Sequence, residues 1–339
     1  MSAPRQRAPA AGATGASADS PAAALRANGR RGILAGGKVR TPLGDAPAAW
    51  LLLAPLLLLF AISVVYPLLE TIRLSFYDIR GLGSPKLVGF ANYVKLFEDE
   101  NFRTALVATL KWTLASTAAS VAIGWGLAML CSLAPDRTLV FRVMIFAAYG
   151  VSEAVSGFMW LGIYRADAGL LNTVLGRTAE GNQIDWLGDS DNIIPLIGEY
   201  GLSKNFLAMI APMIWQHVGY IMVLYLAGLK SVDPSLREAS AIDGATEWQA
   251  FRRVILPSLK PVNVVIMVIT VITALRIYDI IAVLNNPNGT DVLSILVTDN
   301  ISGESSSIGR GSAYATVLLL LCFGFVIWYL RNAFREELE

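Results

Sequence analysis

The sequence predicts an all-α, polytopic membrane protein with six transmembrane helices, on three observations. Only 16% of its 339 residues are charged and 55% are hydrophobic, whereas a soluble domain carries about 25% charged residues to cover its solvated surface. The mean hydropathy is +0.54. Four uncharged stretches reach the ~20 residues a helix needs to cross the hydrocarbon core, and two more reach it if isolated charges are admitted.

Taken in order, residues 1–45 are rich in Ala, Gly, Pro, Ser and Arg and show no apolar period, the composition of a disordered tail. Its Arg26, Arg30, Arg31, Lys38 and Arg40 either meet lipid headgroups or only set orientation. A cleaved signal peptide is not expected, because the first apolar run starts late and is too long for an h-region. Residues 46–335 are expected to form the transmembrane domain. Uncharged runs of 24, 24, 25 and 20 residues lie between Asp45 and Glu70, Lys111 and Asp136, Lys204 and Lys230, and Arg310 and Arg331. The last ends in Trp328-Tyr329, suited to a membrane interface. Val143–Tyr164 is apolar except for Glu153, and Pro261–Leu284 except for Arg276 and Asp279. With both termini cytoplasmic, the inner segments hold 16 Lys and Arg and the outer ones 10, the asymmetry of the positive-inside rule. Two outer loops, 70–104 and 165–204, are long enough to carry an element of their own.

Composition and motifs exclude several functions. Two Cys and one His rule out a disulfide scaffold and the usual four-ligand zinc cluster, and a net charge of +1 does not suit a nucleic-acid binder. The sequence contains no G-x-x-x-x-G-K-[ST] phosphate loop, no H-E-x-x-H and no G-x-S-x-G, so no catalytic residue, metal or cofactor is expected. His217 reads as a packed or hydrogen-bonded helical residue, and Cys131 and Cys322 as small hydrophobes.

The segment between helices four and five, 230–260, is the least ordinary. Asp233 or Ser235 can cap a short helix starting near Leu236, with Pro234 close to its first turn and Glu238 placed where the helix dipole favours a carboxylate. Ala239, Ser240 and Ala241 leave room for another surface to approach. Gly244 permits the positive-φ turn that ends the helix. Trp248 and Phe251 anchor a second helix, and Pro257 and Pro261 mark re-entry into the membrane. By the topology above this loop is cytoplasmic. It reads as a docking knob or as an ordinary amphipathic connector.

The pattern Glu238-Ala239-Ser240-x3-Gly244-x9-Val254-x-Leu256-Pro257 resembles the EAA motif of binding-protein-dependent ABC importer permeases. Ser240 stands where the second Ala is usual, and Val254 where Ile is usual. Leu226-Ala227-Gly228-Leu229, Ile242-Asp243-Gly244-Ala245, Val88-Gly89-Phe90-Ala91-Asn92-Tyr93 and Gly169-Leu170-Leu171-Asn172 are similar to the carbohydrate-uptake branch. Ile277-Tyr278-Asp279-Ile280-Ile281 and Gly309-Arg310-Gly311-Ser312-Ala313 are similar to its maltose and α-glucoside-type members. Asn285-Asn286-Pro287-Asn288-Gly289-Thr290 departs from the Thr-Gly-Gly-Pro-like turn many of them carry. The resemblance implies a type I ABC importer permease fold with its core at about 103–335. It implies a second permease subunit, a cytoplasmic ATPase dimer and an extracellular sugar-binding protein as partners, in the inner or plasma membrane of a prokaryote. It assigns Glu238, Ala239, Ser240, Asp243, Gly244, Leu256 and Pro257 to ATPase coupling, and points to an α-glucoside, a related oligosaccharide or glucosylglycerol as cargo.

Ionisable residues inside spans are expensive and mark candidate sites. By helical rise Asp279 sits ~27 Å from Pro261, and Arg276 lies three residues away on one face. The pair either contacts sugar or the binding protein near the outer opening, or forms a local ion pair that steadies the helix. Glu153 bisects helix three and either lines the sugar route, pairs with Arg276, or is buried against Ser152 or Ser156. Sugar sites combine aromatic faces with hydrogen-bonding groups, which makes Trp160, Tyr164, Trp215, Tyr220, Tyr225 and Tyr278 candidates by type. The rival class, a stand-alone secondary sugar transporter, predicts inverted repeats and helices interrupted near the midplane; neither is evident in the sequence.

Overall fold

The computed structural model describes residues 45–80, 83–134, 138–188, 192–194, 202–284, 291–302 and 307–335. The expected tail through residue 44, the turn Asn285–Thr290, and Asp189, Asp191 and Glu199 of the second long loop lie outside them. The chain divides into two compact units between Val65 and Tyr66.

In the first unit, helix α1 (Asp45–Phe60) runs into a π-helical turn, Ala61–Val65. Its side chains from Trp50 to Val65 are exposed, as a lipid-facing helix requires.

The second unit opens with α2 (Tyr66–Leu74), followed by a two-stranded antiparallel ribbon, Tyr77–Asp78 with Lys86–Leu87, and α3 (Ala91–Glu98). Asn92 holds this region together by donating to the Ser75 and Tyr77 carbonyls at 2.8 and 2.9 Å. Helix α4 (Glu100–Leu133) is capped by Asp99, which accepts from the Asn101 N–H at 3.0 Å. Its 34 residues rise ~50 Å, more than the ~30 Å hydrocarbon core, so α4 starts well before the span expected from Lys111.

Next come α5 (Leu139–Ala147), a 3₁₀ turn, and α6 (Glu153–Tyr164). The short α7 (Leu170–Val174) follows, tied down by Asn172, which donates to the Ala166 and Ile184 carbonyls at 3.0 and 2.9 Å. A second ribbon pairs Asn192–Ile194 with Leu202–Ser203 and leads into α8 (Lys204–Ser231). The loop beyond it carries α9 (Pro234–Ile242), α10 (Glu247–Ala250), a π turn and one further helical turn. The chain continues as α11 (Lys260–Leu275), α12 (Asp279–Leu284) and α13 (Leu293–Ser302), and the last described element is α14 (Ile308–Arg335).

Five stretches are long and apolar enough to cross a membrane: Trp50–Leu74, Glu100–Leu133, Lys204–Ser231, Lys260–Leu284 and Ile308–Arg335. The expected third helix is a sixth span only as a broken one, with Leu139–Gly150 and Glu153–Tyr164 meeting at 106°. The expected fifth helix is also interrupted, at Arg276–Tyr278.

Helix α4 packs along α8 through small residues. Ser116, Ser120, Gly124 and Ala128 are buried, and Ala128 joins Ile221, Met222, Leu226 and Ile266 in one core cluster. Small residues let helix backbones approach closely where lipid supplies no hydrophobic drive. Three hydroxyls on this face are satisfied within the helix: Thr109, Thr113 and Ser116 each donate to the carbonyl four residues back at 2.7 Å, whereas those of Thr117 and Ser120 are buried with no partner among the described residues. A second cluster gathers Trp112, Met213, Ile277, Ile280 and Leu284 around the interruption at Arg276–Tyr278.

Candidate functional site

The two interruptions face one another. At the first, Gly150-Val151-Ser152 stops one helix and starts the next. Val151 is extended, and Ser152 caps α6 by accepting from the Val155 N–H at 3.3 Å. The Val151 carbonyl, freed from the helical ladder, accepts from Gln216 Nε2 of α8. At the second, α11 stops at Leu275 and α12 starts at Asp279. Here the freed carbonyl of Ile277 accepts from the Ser294 hydroxyl of α13. A carbonyl left without a donor inside a membrane is costly. Each break is therefore sustained by a side chain from a different helix.

Helices α6 and α12 pack closely because Gly157 has no side chain: a Cβ there would lie 2.9 Å from the Val283 Cβ. Both helices begin with an acid, Glu153 and Asp279. These acids converge on a cavity of about 630 Å³ together with Gln216, His217, Arg276 and Tyr278. Tyr149 also lines it; its ring stacks on Tyr220 at 4.6 Å between centroids and meets His217 edge-on at 6.0 Å. The His217 ring bonds the Met213 carbonyl through Nδ1 at 3.0 Å. Gln216 is only 3% exposed. Its Nε2 is committed to Val151, and its Oε1 has no partner.

Of the alternatives the sequence left open, the ion pairs are not formed: Arg276 bridges neither Asp279 nor Glu153. Among the described residues the salt bridges are Arg73–Glu70, Arg80–Asp78 and Arg165–Asp167. The backbone break explains the first difference, because the three-residue spacing gives a shared face only in continuous helix. Glu153 does not bisect a helix; it occupies the first turn of α6.

The remaining candidates lie elsewhere. Trp160 packs against Tyr164 at 5.4 Å and Trp215 at 6.2 Å, and the Tyr164 hydroxyl donates to the Ala208 carbonyl at 2.6 Å. Tyr225 is buried on the wall of a larger, mostly apolar groove of about 1040 Å³ between α4, α11 and α14. Sequence reasoning passed over Tyr149, Thr273 and Gln216, all on the polar cavity. The stop–start signature Gly150-x-Ser152-Glu153 and the adjacent Gln216-His217 inside an apolar helix were the available signals.

The second site is the loop between α8 and α11. Asp233 caps α9 by accepting from the Ser235 N–H at 2.9 Å, and that bond holds its carboxyl below the usual range. Pro234 occupies the first helical position, where its missing N–H costs nothing. The helix thus starts two residues earlier than expected, and Glu238 falls in its second turn rather than its first. At the other end Gly244 has φ +74°. Its N–H bonds the Ala241 carbonyl at 3.1 Å, and the Ala245 N–H bonds that of Ser240 at 3.0 Å, the paired bonds of a Schellman termination.

Thr246 and Gln249 then form a reciprocal capping box, at 2.9 and 3.3 Å, that opens α10. Phe251 anchors the segment by packing on Trp125 at 5.6 Å, within a cluster that includes Leu229 and Val232. Trp248 stacks on Phe251 but is 64% exposed. Ser240 turns inward at 8% exposure rather than outward with Ala239 and Ala241. Glu238, Ala239, Asp243, Gly244, Leu256 and Pro257 are exposed, and Ile242 is 87% exposed.

Residues 140–336 match the family described as binding-protein-dependent transport system inner membrane component. The chain is 30% identical over 290 residues to the osmoprotective compounds uptake permease protein GgtC of Synechocystis sp., covering 84% of this chain and 98% of that one. It is 29% identical over 319 residues to the alpha-glucoside transport system permease protein AglF of Rhizobium meliloti, covering 91% and 88%. Its fold matches that of a bacterial ABC transporter involved in import of the acidic polysaccharide alginate, with a TM-score of 0.70 at 21% identity over 86% of this chain and 97% of that one. With the family pattern spanning more than half of its length, the chain belongs to the binding-protein-dependent transport system inner membrane components and is a permease subunit of an ABC transporter.

Proposed function

We propose that this chain is one of two membrane subunits of an ATP-driven carbohydrate importer, taking an α-glucoside or a related oligosaccharide or glucosylglycerol from an extracellular binding protein. ATP hydrolysis belongs to a separate cytoplasmic ATPase dimer. Both termini lie in the cytoplasm of a prokaryotic cell, with residues 1–45 as an N-terminal extension, 46–335 as the permease domain and its core at about 103–335. The loop 230–260 is the lever, with Glu238, Ala239, Ser240, Asp243, Gly244, Leu256 and Pro257 as its coupling residues. Sugar passes the cavity that holds Glu153, Tyr278 and Asp279; Trp160, Trp215, Tyr220 and Tyr225 belong to the helix packing around that route.

One observation carries the coupling role. Helix α9 is closed at both ends by its own local bonds, at Asp233 and Gly244, yet it leaves Ala239, Ala241 and Ile242 exposed. A short helix finished in this way transmits a push as a unit, and its bare apolar surface suits a protein partner.

The interrupted spans around the cavity give the secondary-transporter reading one supporting feature, and energy source separates the two. Purified chain in liposomes should neither hydrolyse ATP nor move sugar. A tagged chain drawn from its native membrane should bring down an ATPase and a second permease and support ATP-dependent uptake. Proton-driven, ATP-independent uptake by the chain alone would sink the importer reading.

A further inference from the structure

We infer that the cavity between the two broken spans is a charge-selective ligand site, binding an uncharged polyhydroxylated ligand and turning anionic saccharides away. Glu153 and Asp279 act as the filter, with Gln216 as a fixed hydrogen-bond acceptor. This rests on the carbohydrate reading above and adds the chemistry that selects among carbohydrates.

The amide of Gln216 fixes the polarity of the site. A backbone carbonyl only accepts, so the contact with Val151 commits the Gln216 NH₂ to that side and leaves Oε1 as the free atom. That oxygen is buried without a donor, a state a ligand O–H relieves. Glu153 and Asp279 line the same cavity, and neither carboxyl forms an ion pair with Arg276, the one Lys or Arg among the described residues of its wall. Among the described residues the wall thus offers one buried acceptor without a donor, the Gln216 oxygen, and two carboxylates outside any ion pair, against one guanidinium.

A sugar hydroxyl both donates and accepts, and satisfies each of these groups. A ligand carboxylate or sulfonate only accepts, so it meets like charge in a partly desolvated space where Coulomb repulsion is stronger than in water. The fold does not impose this preference, since a structural neighbour imports the acidic polysaccharide alginate. The preference resides in the residues at positions 153, 216 and 279.

Two matched probes test it: 1-O-α-glucosylglycerol and sulfoquinovosyl glycerol, which differ by a hydroxyl or a sulfonate at C6. Their binding to the full-length chain, purified with its copurifying subunits in lipid nanodiscs, is read by saturation-transfer NMR and calorimetry. The neutral probe should bind about tenfold or more tightly than the sulfonate. The isosteric double variant Glu153→Gln/Asp279→Asn should narrow that ratio to about twofold, and Gln216→Leu should weaken the neutral probe.

Equal binding of the two probes to the unaltered protein, tighter binding of the sulfonate, or a preference that survives the double variant would each overturn the charge filter. The first comparison needs no variant, so a folding defect cannot mask it. If neither probe binds, or if well-folded Gln216→Leu binds as the unaltered protein does, the cavity is not the saccharide site. The coupling role of α9 would then still stand or fall on copurification of the ATPase.

Discussion

The side-chain N–H of Gln216 bonds the carbonyl of Val151 across 65 positions of sequence. The donor lies in the long helix α8, and the acceptor sits where the third span breaks. A carbonyl at a helix break inside a membrane needs a donor from elsewhere, and this one has it. Gln216→Leu should therefore cost about 1–3 kcal/mol through the orphaned carbonyl. Gln216→Glu should cost as much when ionised, because a carboxylate cannot donate. Thermal unfolding in detergent measures both; an unchanged melting temperature for both would mean that the break does not depend on this bond.

Gly244→Val should uncouple the ATPase. A β-branched residue at φ +74° is strained by about 1–3 kcal/mol, and the end of α9 would unwind to relieve it. No atom lies within 4 Å of the added Cβ, so the penalty is conformational rather than steric. Gly244→Asn, which tolerates a left-handed backbone, should retain much of the function. ATPase copurification and sugar uptake in the same membranes provide the readout. Normal values of both in Gly244→Val would remove this loop as the coupling element.

Glu238→Ala should weaken ATPase association less than Gly244→Val, because the helix keeps its shape when an exposed side chain is trimmed. A larger loss from Glu238→Ala would place the coupling in charge rather than in geometry.

Asp233 predicts a pH dependence. Its carboxyl is held below the usual range by the Ser235 N–H, so the cap stabilises α9 fully above the ordinary carboxylate pKa of about 3.9. That contribution fades as pH falls through the lowered value in the folded protein. Hydrogen exchange across residues 234–242 should be protected equally at pH 7 and pH 5. Asp233→Ala should lose protection at both, whereas Asp233→Asn, itself a good cap, should keep it. Equal protection in Asp233→Ala would mean that the loop does not need this cap.

Gly157→Val should push α6 away from α12 and deform the cavity. The new side chain meets Val283, and overpacking of this kind costs about 1–3 kcal/mol. Uptake should fall further than membrane abundance, since the two acids at the helix starts move apart. Parallel losses would show a folding defect alone.

The membrane spans were legible in the sequence because crossing a membrane is a local demand. About 20 apolar residues must follow one another, whatever their neighbours do. The shape of α9 was legible for the same reason: Asp233, Pro234 and Gly244 act on backbone within a few residues of themselves. The helix starts two residues before Leu236 because Pro234 takes its first position, where the missing N–H breaks no helical bond.

The breaks and the cavity were decided in three dimensions. A two- or three-residue interruption barely changes hydropathy over a span, so Val143–Tyr164 and Pro261–Leu284 read as continuous helices. What makes the interruptions tolerable is Gln216 for one and Ser294 for the other, donors from helices that no local pattern connects to them. Only when those helices pack do Glu153 and Asp279 become the first residues of two adjoining helices. Arg276 then forms no ion pair with either acid, because the helix that would align it with Asp279 stops at Leu275.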